Sequence, residues 1–403
     1  MADPAHSPSL TRDSVLAAHE LVKPHIHRTP VLTNTTLSNL ASAPQAAEAL
    51  RGTQWESQEP AKPKIRLFFK CENLQRIGAF KVRGAFHAVK RLIEQDGLEV
   101  VRKRGVVTHS SGNHAQALAL AARTFSIPAH IVMPSISTPS KIAGTQSQGA
   151  ILHFSGSTAQ EREAVVADVV KETGATLVPP YDHPDIILGQ GTMGIEFERE
   201  VEELIRGKQS LSVAEGKAGL DAVVAPCGGG GMLSGNAVAL KGTGIRVFGA
   251  EPSFQGADDA RRGVEAGQRI TSVKTLTIAD GLRTPLGEWT WKIVSDKGHV
   301  EGLYSVTERN IRDAMKLVLE RMKVVVEPSA VVPLAVALYN EDFRKLVERS
   351  GEGWNVGVVF SGGNTTVEAI SKIFADAASE EKAEREEGVL AKDGGRVAEN
   401  VAG

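Results

Sequence analysis

Four short stretches of this 403-residue chain combine residue types that do chemistry, and each follows an apolar run. The first is Lys81, in Gly78-Ala79-Phe80-Lys81-Val82-Arg83-Gly84-Ala85, just beyond Ile65-Arg66-Leu67-Phe68-Phe69. A lysine among small and aromatic neighbours at a strand-to-helix junction loses hydration, which favours the neutral, nucleophilic amine that a Schiff base requires. Taken alone it reads as an ordinary solvated charge. The second is Cys227-Gly228-Gly229-Gly230-Gly231-Met232, after Asp221-Ala222-Val223-Val224-Ala225 and before a helical stretch containing Asn236 to Leu240. Consecutive glycines let backbone N–H groups converge at a helix start, where they and the helix dipole bind an anion such as phosphate. A flexible linker is the bland alternative, but linkers rarely join a strand to a helix. With no Lys-Ser/Thr pair after the glycines, a nucleotide P-loop is disfavoured.

The third stretch is Thr108-His109-Ser110-Ser111-Gly112-Asn113-His114-Ala115-Gln116. Hydroxyls, an amide and backbone donors at a helix start make a seat for a carboxylate, and a hydroxyl there can also exchange a proton. An ordinary N-cap accounts for the same residues, and His114 reads as a pocket wall rather than a base. The fourth is Ser361-Gly362-Gly363-Asn364, after Val356–Phe360, at the carboxyl end of a strand where open α/β sheets bind ligands.

The elements that must position these residues alternate along the chain. Strands are predicted at Ile65–Lys70, Gly105–Thr108, His130–Met133, Ile151–Phe154, Ala222–Ala225, Arg246–Ala250 and Val356–Phe360, each followed by a turn or helix. That pattern predicts an α/β protein with parallel sheets covered on both faces. In Thr307–Lys323 the residues Ile311, Ala314, Met315, Val318, Leu319 and Met322 recur at spacings of three and four, so one helical face should pack on a sheet, with Thr307 as N-cap. Residues 42–64, rich in Pro and Gln, read as an inserted surface loop. The charged run from Glu380 to Glu387 and the closing glycines make 376–403 an expected flexible tail.

Composition narrows the partners. Forty-six basic and 48 acidic residues give a net charge of -2, which supplies no field for nucleic acid or an anionic membrane. Two distant cysteines, Cys71 and Cys227, exclude a disulfide framework and a CxxC zinc site and fit a reducing compartment. The N-terminus lacks signal-peptide features, and no apolar run reaches membrane-spanning length, so a cytoplasmic protein acting on a small molecule is expected.

Taken in order, the four motifs resemble fold-type II pyridoxal-phosphate enzymes, and specifically the serine racemase and serine/threonine dehydratase group. The resemblance runs from His25-Ile26-His27-Arg28-Thr29-Pro30 to Ile373. It implies a tryptophan synthase β-like fold with two open, mainly parallel sheets: a large domain of residues 1–104 and 184–375 and a smaller inserted domain of 105–183. It also implies a homodimer. By the same resemblance Lys81 carries pyridoxal 5'-phosphate beside Phe80; Gly228, Gly229, Gly230, Gly231 and Met232 hold its phosphate; Asn113 bonds its phenolic oxygen; Ser361 faces its pyridine nitrogen. A neutral hydroxyl cannot keep that nitrogen protonated as an aspartate would, so the ring is a weaker electron sink and elimination is favoured over transamination.

Ser110, Ser111, Gly112, Asn113 and His114 are then expected to line the seat of a small β-hydroxy amino acid, with Lys81 as α-proton base and Ser111 as the acid/base on the opposite face. Glu251-Pro252-Ser253 and Ala257-Asp258-Asp259 look like solvated surface by composition, but the resemblance implies a divalent cation, Mg²⁺ or Ca²⁺, on Glu251, Ala257 and Asp259. The spacing between Glu251 and Ala257 exceeds the group's usual pattern. Asp280-Gly281 and Glu327-Pro328-Ser329 also match the group as pocket-shaping residues. Arg83 and Arg162 are further candidates to meet an anionic substrate. The expected activity is serine racemisation with serine/threonine ammonia-lyase chemistry. Alternatives are an L-threo-3-hydroxyaspartate ammonia-lyase, a dedicated L-threonine dehydratase, or a non-catalytic binding protein on this scaffold. About 30 residues follow Ile373, so a C-terminal regulatory domain with isoleucine feedback is not expected.

Overall fold

The computed structural model describes residues 3–376 except 111, 209–210 and 212–215; Ser111 and all but the first residue of the expected 376–403 tail lie outside the described residues. Among the described residues ten strands form two sheets. β1 (Val31–Thr33), β2 (Ile65–Cys71), β7 (Ala222–Pro226), β8 (Arg246–Pro252), β9 (Gly302–Val306) and β10 (Trp354–Phe360) make a six-stranded sheet in the order β1-β2-β10-β7-β8-β9. All its pairings are parallel except β1 on β2. β3 (Val106–His109), β4 (Ala129–Pro134), β5 (Ile151–Ser155) and β6 (Thr176–Leu177) make a parallel four-stranded sheet in the order β5-β4-β3-β6.

The larger sheet is buried on both faces, and its strands show why. Successive side chains point to opposite faces, so Leu67, Phe69, Ala222, Val224, Val356, Val358 and Phe360 enter one core with the Pro328–Tyr339 helix. Phe68, Val223, Ala225 and Val359 enter the other, with the Pro184–Gly207 and Gly231–Leu240 helices. Near-continuous apolar strands are what double coverage demands.

All seven predicted strands are present, within two residues at either end. The three that sequence missed, β1, β6 and β9, are short or lie at sheet edges, where little periodicity is needed. Thr307 caps the Glu308–Leu317 helix in a reciprocal capping box with Asn310, and a wider turn through Met322 completes the expected segment. Residues 42–64 are mostly exposed, with one short helix at Ala47–Leu50, and are anchored at a few points. Leu50 and Ala61 are buried, and the fully buried Arg344 donates to the carbonyls of Ala41, Ala43 and Ala61.

Candidate active site

Lys81 is presented by a short, closed path. After β2 the chain makes two tight turns, with Ile77 at φ 57° and Gly78 at φ 72°. A Cβ on Gly78 would stand 2.7 Å from Asn364 Oδ1, so glycine is required there by both conformation and space. Ala79 then pairs with Gly362, Phe80 N–H donates to Ser361 O at 3.1 Å, and Gly363 N–H donates to Gly78 O at 2.9 Å. The pairing follows from β2 and β10 being parallel neighbours that end together, Phe360 opposite Cys71. Two of the four motifs are thus laced to each other. Lys81 begins the Val82–Asp96 helix; its Nζ donates to Pro180 O at 2.7 Å and lies 5.2 Å from the Phe80 ring centroid. Burial depresses its ammonium to about 8, against an opposing pull from the Glu327 carboxylate.

The glycine run forms a socket closed by Leu282, Leu286 and Tyr181, the last facing two of the four glycines. A Cβ on Gly228 would meet Leu282 Cα at 2.9 Å, one on Gly229 the Tyr181 ring at 2.5 Å, one on Gly230 Leu286 Cδ2 at 2.4 Å, and one on Gly231 Tyr181 Cβ at 3.1 Å. Gly230 also has φ 84°, in the left-handed region, and caps the Gly231–Leu240 helix. Thr290 Oγ1 donates to Gly229 O at 2.9 Å and steadies the turn. No sequence motif pointed to Tyr181 or to Asp182. The latter's carboxylate accepts N–H bonds from Glu288, Trp289 and Thr290 and so ties the segment after β6 to the wall of the socket.

The third motif approaches from the smaller sheet. Ser110 N–H donates to Val132 O, Gly112 N–H donates to Ser110 Oγ at 3.2 Å, and among the described residues beyond its chain neighbours none stands within 4 Å of where a Gly112 Cβ would be. Asn113 starts its helix and is held by two partners: its Nδ2 donates to Glu327 Oε1 at 3.1 Å, and its Oδ1 accepts from Asn364 Nδ2 at 2.7 Å. His114 is buried, its Nε2 bonded to Val178 O at 3.1 Å, while Nδ1 has no partner. Burial first, then the Lys81 charge, lowers its pKa to about 3, so it is a neutral wall and not a base. Ser361 is nearly buried at the end of β10, next to the Lys81 path.

The outlying candidates fall elsewhere. Glu251 accepts N–H bonds from Ala260 (3.0 Å) and Arg261 (2.8 Å), and burial with the neighbouring Asp259 charge raises its carboxyl well above the usual range. Asp259 is pushed up to about 6, again mainly by burial, and Ala257 is buried beside it. Among the described residues no three His, Cys, Asp or Glu side chains converge as metal ligands; two carboxylates and a carbonyl make this set. Arg83 does not face a substrate. It is fully buried between Glu72 and Glu196, because its charge is matched inside the protein. Arg162 donates to Ser157 O on its own helix's approach. Cys227 is buried with its thiol pKa raised, which makes it a poor nucleophile.

These residues fit a phosphorylated aldehyde. A lysine amine of low basicity is bonded to Pro180, whose neighbour Tyr181 walls a side-chain-free glycine turn at a helix start, and the buried His114 nitrogen that faces the lysine charge is left without a donor. The family profile described as "Pyridoxal-phosphate dependent enzyme" matches residues 48–362. The chain is 39% identical to a β-hydroxyaspartate dehydratase of Paracoccus denitrificans, covering 89% of this chain and 98% of that one. It is also 39% identical to a serine racemase of Arabidopsis thaliana, covering 90% and 95%. The solved structure of maize serine racemase superposes with a TM-score of 0.74 at 35% identity, covering 92% of this chain and 99% of that one. The two-sheet architecture is the fold-type II arrangement that the motif order implied. Site geometry, sequence and fold therefore agree, and the chain belongs to the family of pyridoxal-phosphate dependent enzymes.

Proposed function

We propose that this protein racemises serine and eliminates water from serine and threonine, giving a 2-oxo acid and ammonia. The observation that carries the proposal is the Lys81 amine, brought to about 8 by burial and bonded to Pro180, the residue before the Tyr181 that walls the glycine socket. When bound, pyridoxal phosphate supplies an electron sink for the charge left on Cα. Lys81, neutral in a useful fraction near pH 8, takes the α-proton. Phe80, Asn113, Ser361 and the backbone of Gly228, Gly229, Gly230, Gly231 and Met232 hold the cofactor, with Ser361 leaving the pyridine nitrogen unprotonated. Ser110, Gly112 and His114 shape the carboxylate seat, and Ser111 returns a proton to the opposite face of Cα in racemisation. Residues 105–183 act as a small substrate domain on a large domain of 1–104 and 184–375. Mg²⁺ or Ca²⁺ on Glu251, Ala257 and Asp259 relieves the repulsion between two buried carboxylates. The assembly is a homodimer in the cytoplasm, where two buried free cysteines stay reduced.

A second activity, elimination from L-threo-3-hydroxyaspartate, is favoured by the 39% identity to a β-hydroxyaspartate dehydratase, equal to that of the plant racemase. A panel of L-serine, D-serine, L-threonine and L-threo-3-hydroxyaspartate, scored for 2-oxo acid and for enantiomer, separates the two. Purified protein should show visible absorbance from cofactor on Lys81, lost in Lys81→Ala. A protein that takes up no cofactor and turns over none of the panel would leave only the non-catalytic binding role. Ser111→Ala should lose L-to-D conversion and keep some elimination; equal loss of both would remove Ser111 from the mechanism.

A further inference from the structure

We infer that Arg83 is a positioning residue that, clamped by Glu72 and Glu196, fixes the backbone segment from which Lys81 reaches the site. The inference rests on Lys81 being the reactive lysine. Arg83 uses all five of its N–H donors. Nε and Nη2 grip Glu72 at 2.7 and 2.8 Å, Nη1 and Nη2 grip Glu196 at 3.0 and 2.7 Å, and Nη1 also reaches Thr192 Oγ1 at 3.3 Å. Both carboxylates are bound in the planar, two-pronged manner that fixes direction as well as distance.

The partners are placed so that this grip closes a loop around the lysine. Glu72 follows the last residue of β2, and Arg83 is two residues beyond Lys81, so the pair staples the ends of the segment that holds Ile77, Gly78, Phe80 and Lys81. Glu196 comes from the Pro184–Gly207 helix, against which the Val82–Asp96 helix packs so closely that a Cβ on Gly189 would stand 2.7 Å from Gly84 Cα. Lys70 on β2 binds the same Glu196 at 3.0 Å, together with Glu200 and Thr29 O at 2.8 Å each. His19 Nε2 meets Glu196 Oε1 at 3.2 Å and Arg28 Nε meets Glu200 Oε1 at 2.7 Å, so strand, loop and helices join in one charged cluster whose centre, Arg83, Glu72 and Lys70, is fully buried and whose rim at Glu200 and Arg28 touches solvent.

Stability alone does not account for such a joint. Buried ion sets are commonly replaceable by apolar side chains of similar volume without loss of stability, because desolvation offsets most of the attraction. What an apolar replacement loses is direction. A reactive amine needs its supporting shell held to within about half an ångström, and the Arg83 clamp supplies that constraint on the segment carrying Lys81. Without it the lysine gains water, and since burial is what depresses its basicity, its titration moves back toward that of an ordinary lysine.

The test compares Arg83→Lys, which keeps the charge and loses the fork, with the neutralised set Arg83→Met, Glu72→Gln, Glu196→Gln, in which no carboxylate is stranded. Three quantities are read on each protein: the thermal midpoint, the pH profile for formation of the coloured Lys81 adduct with pyridoxal phosphate, and kcat on the best substrate of the wild type. The expected result is a melting point within a few degrees of wild type in at least the neutralised set. Its adduct-formation midpoint should lie higher by about one pH unit or more, with kcat down at least tenfold. Unchanged pH profile and kcat in a stable variant overturn the inference. So does loss of fold in both variants with a wild-type profile in whatever fraction stays folded, because the clamp would then be structural only. If wild type takes up no cofactor, or Lys81→Ala keeps the colour, the assignment of Lys81 itself fails, and that outcome is distinct from a failure of Arg83.

Discussion

Asn113 Nδ2 donates to both carboxylate oxygens of Glu327, at 3.1 and 3.3 Å, so the residue that starts the helix after β3 is tied to the residue that precedes the Pro328–Tyr339 helix. Asn364 N–H donates to the same carboxylate at 3.2 Å, and Asn364 Nδ2 to Asn113 Oδ1. Motifs from both sheets and from the end of β10 therefore converge on one nearly buried acid.

That acid gives the fold a pH dependence. Burial, then the Asp280 charge, pushes the Glu327 carboxyl from 4.5 up to about 7, against the pull of its Asn113 and Asn364 bonds. A raised acid binds more protons folded than unfolded between those values, so its contribution is present at low pH and is lost as pH rises through about 7. The loss is at most about 3 kcal/mol. Denaturant titrations at about pH 5 and pH 7.5 should show a steeper decline for wild type than for Glu327→Gln. Identical slopes would show that Glu327 is not the group responsible.

The socket predicts an intolerant glycine. In Gly229→Ala the new methyl falls 2.5 Å from the Tyr181 ring, which is held in turn by the Asp182 cap. Forcing it in should cost about 1–3 kcal/mol, and cofactor affinity should fall by about tenfold or more as the donors splay. Gly207→Ala, at a helix end with no atom within 4 Å, should change stability by less than about 0.5 kcal/mol. Absorbance titration with pyridoxal phosphate, beside thermal melts, checks both; normal cofactor binding by the Gly229→Ala variant would mean that the loop is not the anion seat.

Chelation tests the paired acids. With Glu251 and Asp259 buried side by side, a divalent cation that binds the folded state should add about 2.7 kcal/mol at a hundredfold excess over its dissociation constant. EDTA should lower the melting temperature and activity, and Mg²⁺ or Ca²⁺ should restore them in wild type but not in Glu251→Gln. A wild-type protein indifferent to EDTA would remove the cation from the site.

Much of the scaffold was legible because it rests on local signals. Doubly covered strands such as Val356–Phe360 must be apolar along their length, and Thr307 marks its helix by capping it. For the 42–64 segment the sequence showed a surface loop but not the Arg344 clasp that anchors it, which comes from nearly three hundred residues away.

The sequence by itself determined the chemical inventory: a lysine at a strand-to-helix junction, four glycines able to expose their N–H groups, and a hydroxyl turn at a strand end. These are properties of residue type and short spacing. Only the tertiary structure decided which groups act together. Burial of Lys81, which the packing of distant segments such as Pro180 around it completes, lowers its basicity. The need for Gly229 is set by Tyr181, nearly fifty residues earlier. Arg83 reads from sequence as a solvated arginine with a candidate role in meeting an anionic substrate, yet it lies fully buried because Glu72 and Glu196 converge on it. Desolvation and charge pairing act through space, so they are fixed by the packing of distant segments and not by the order of residues along the chain.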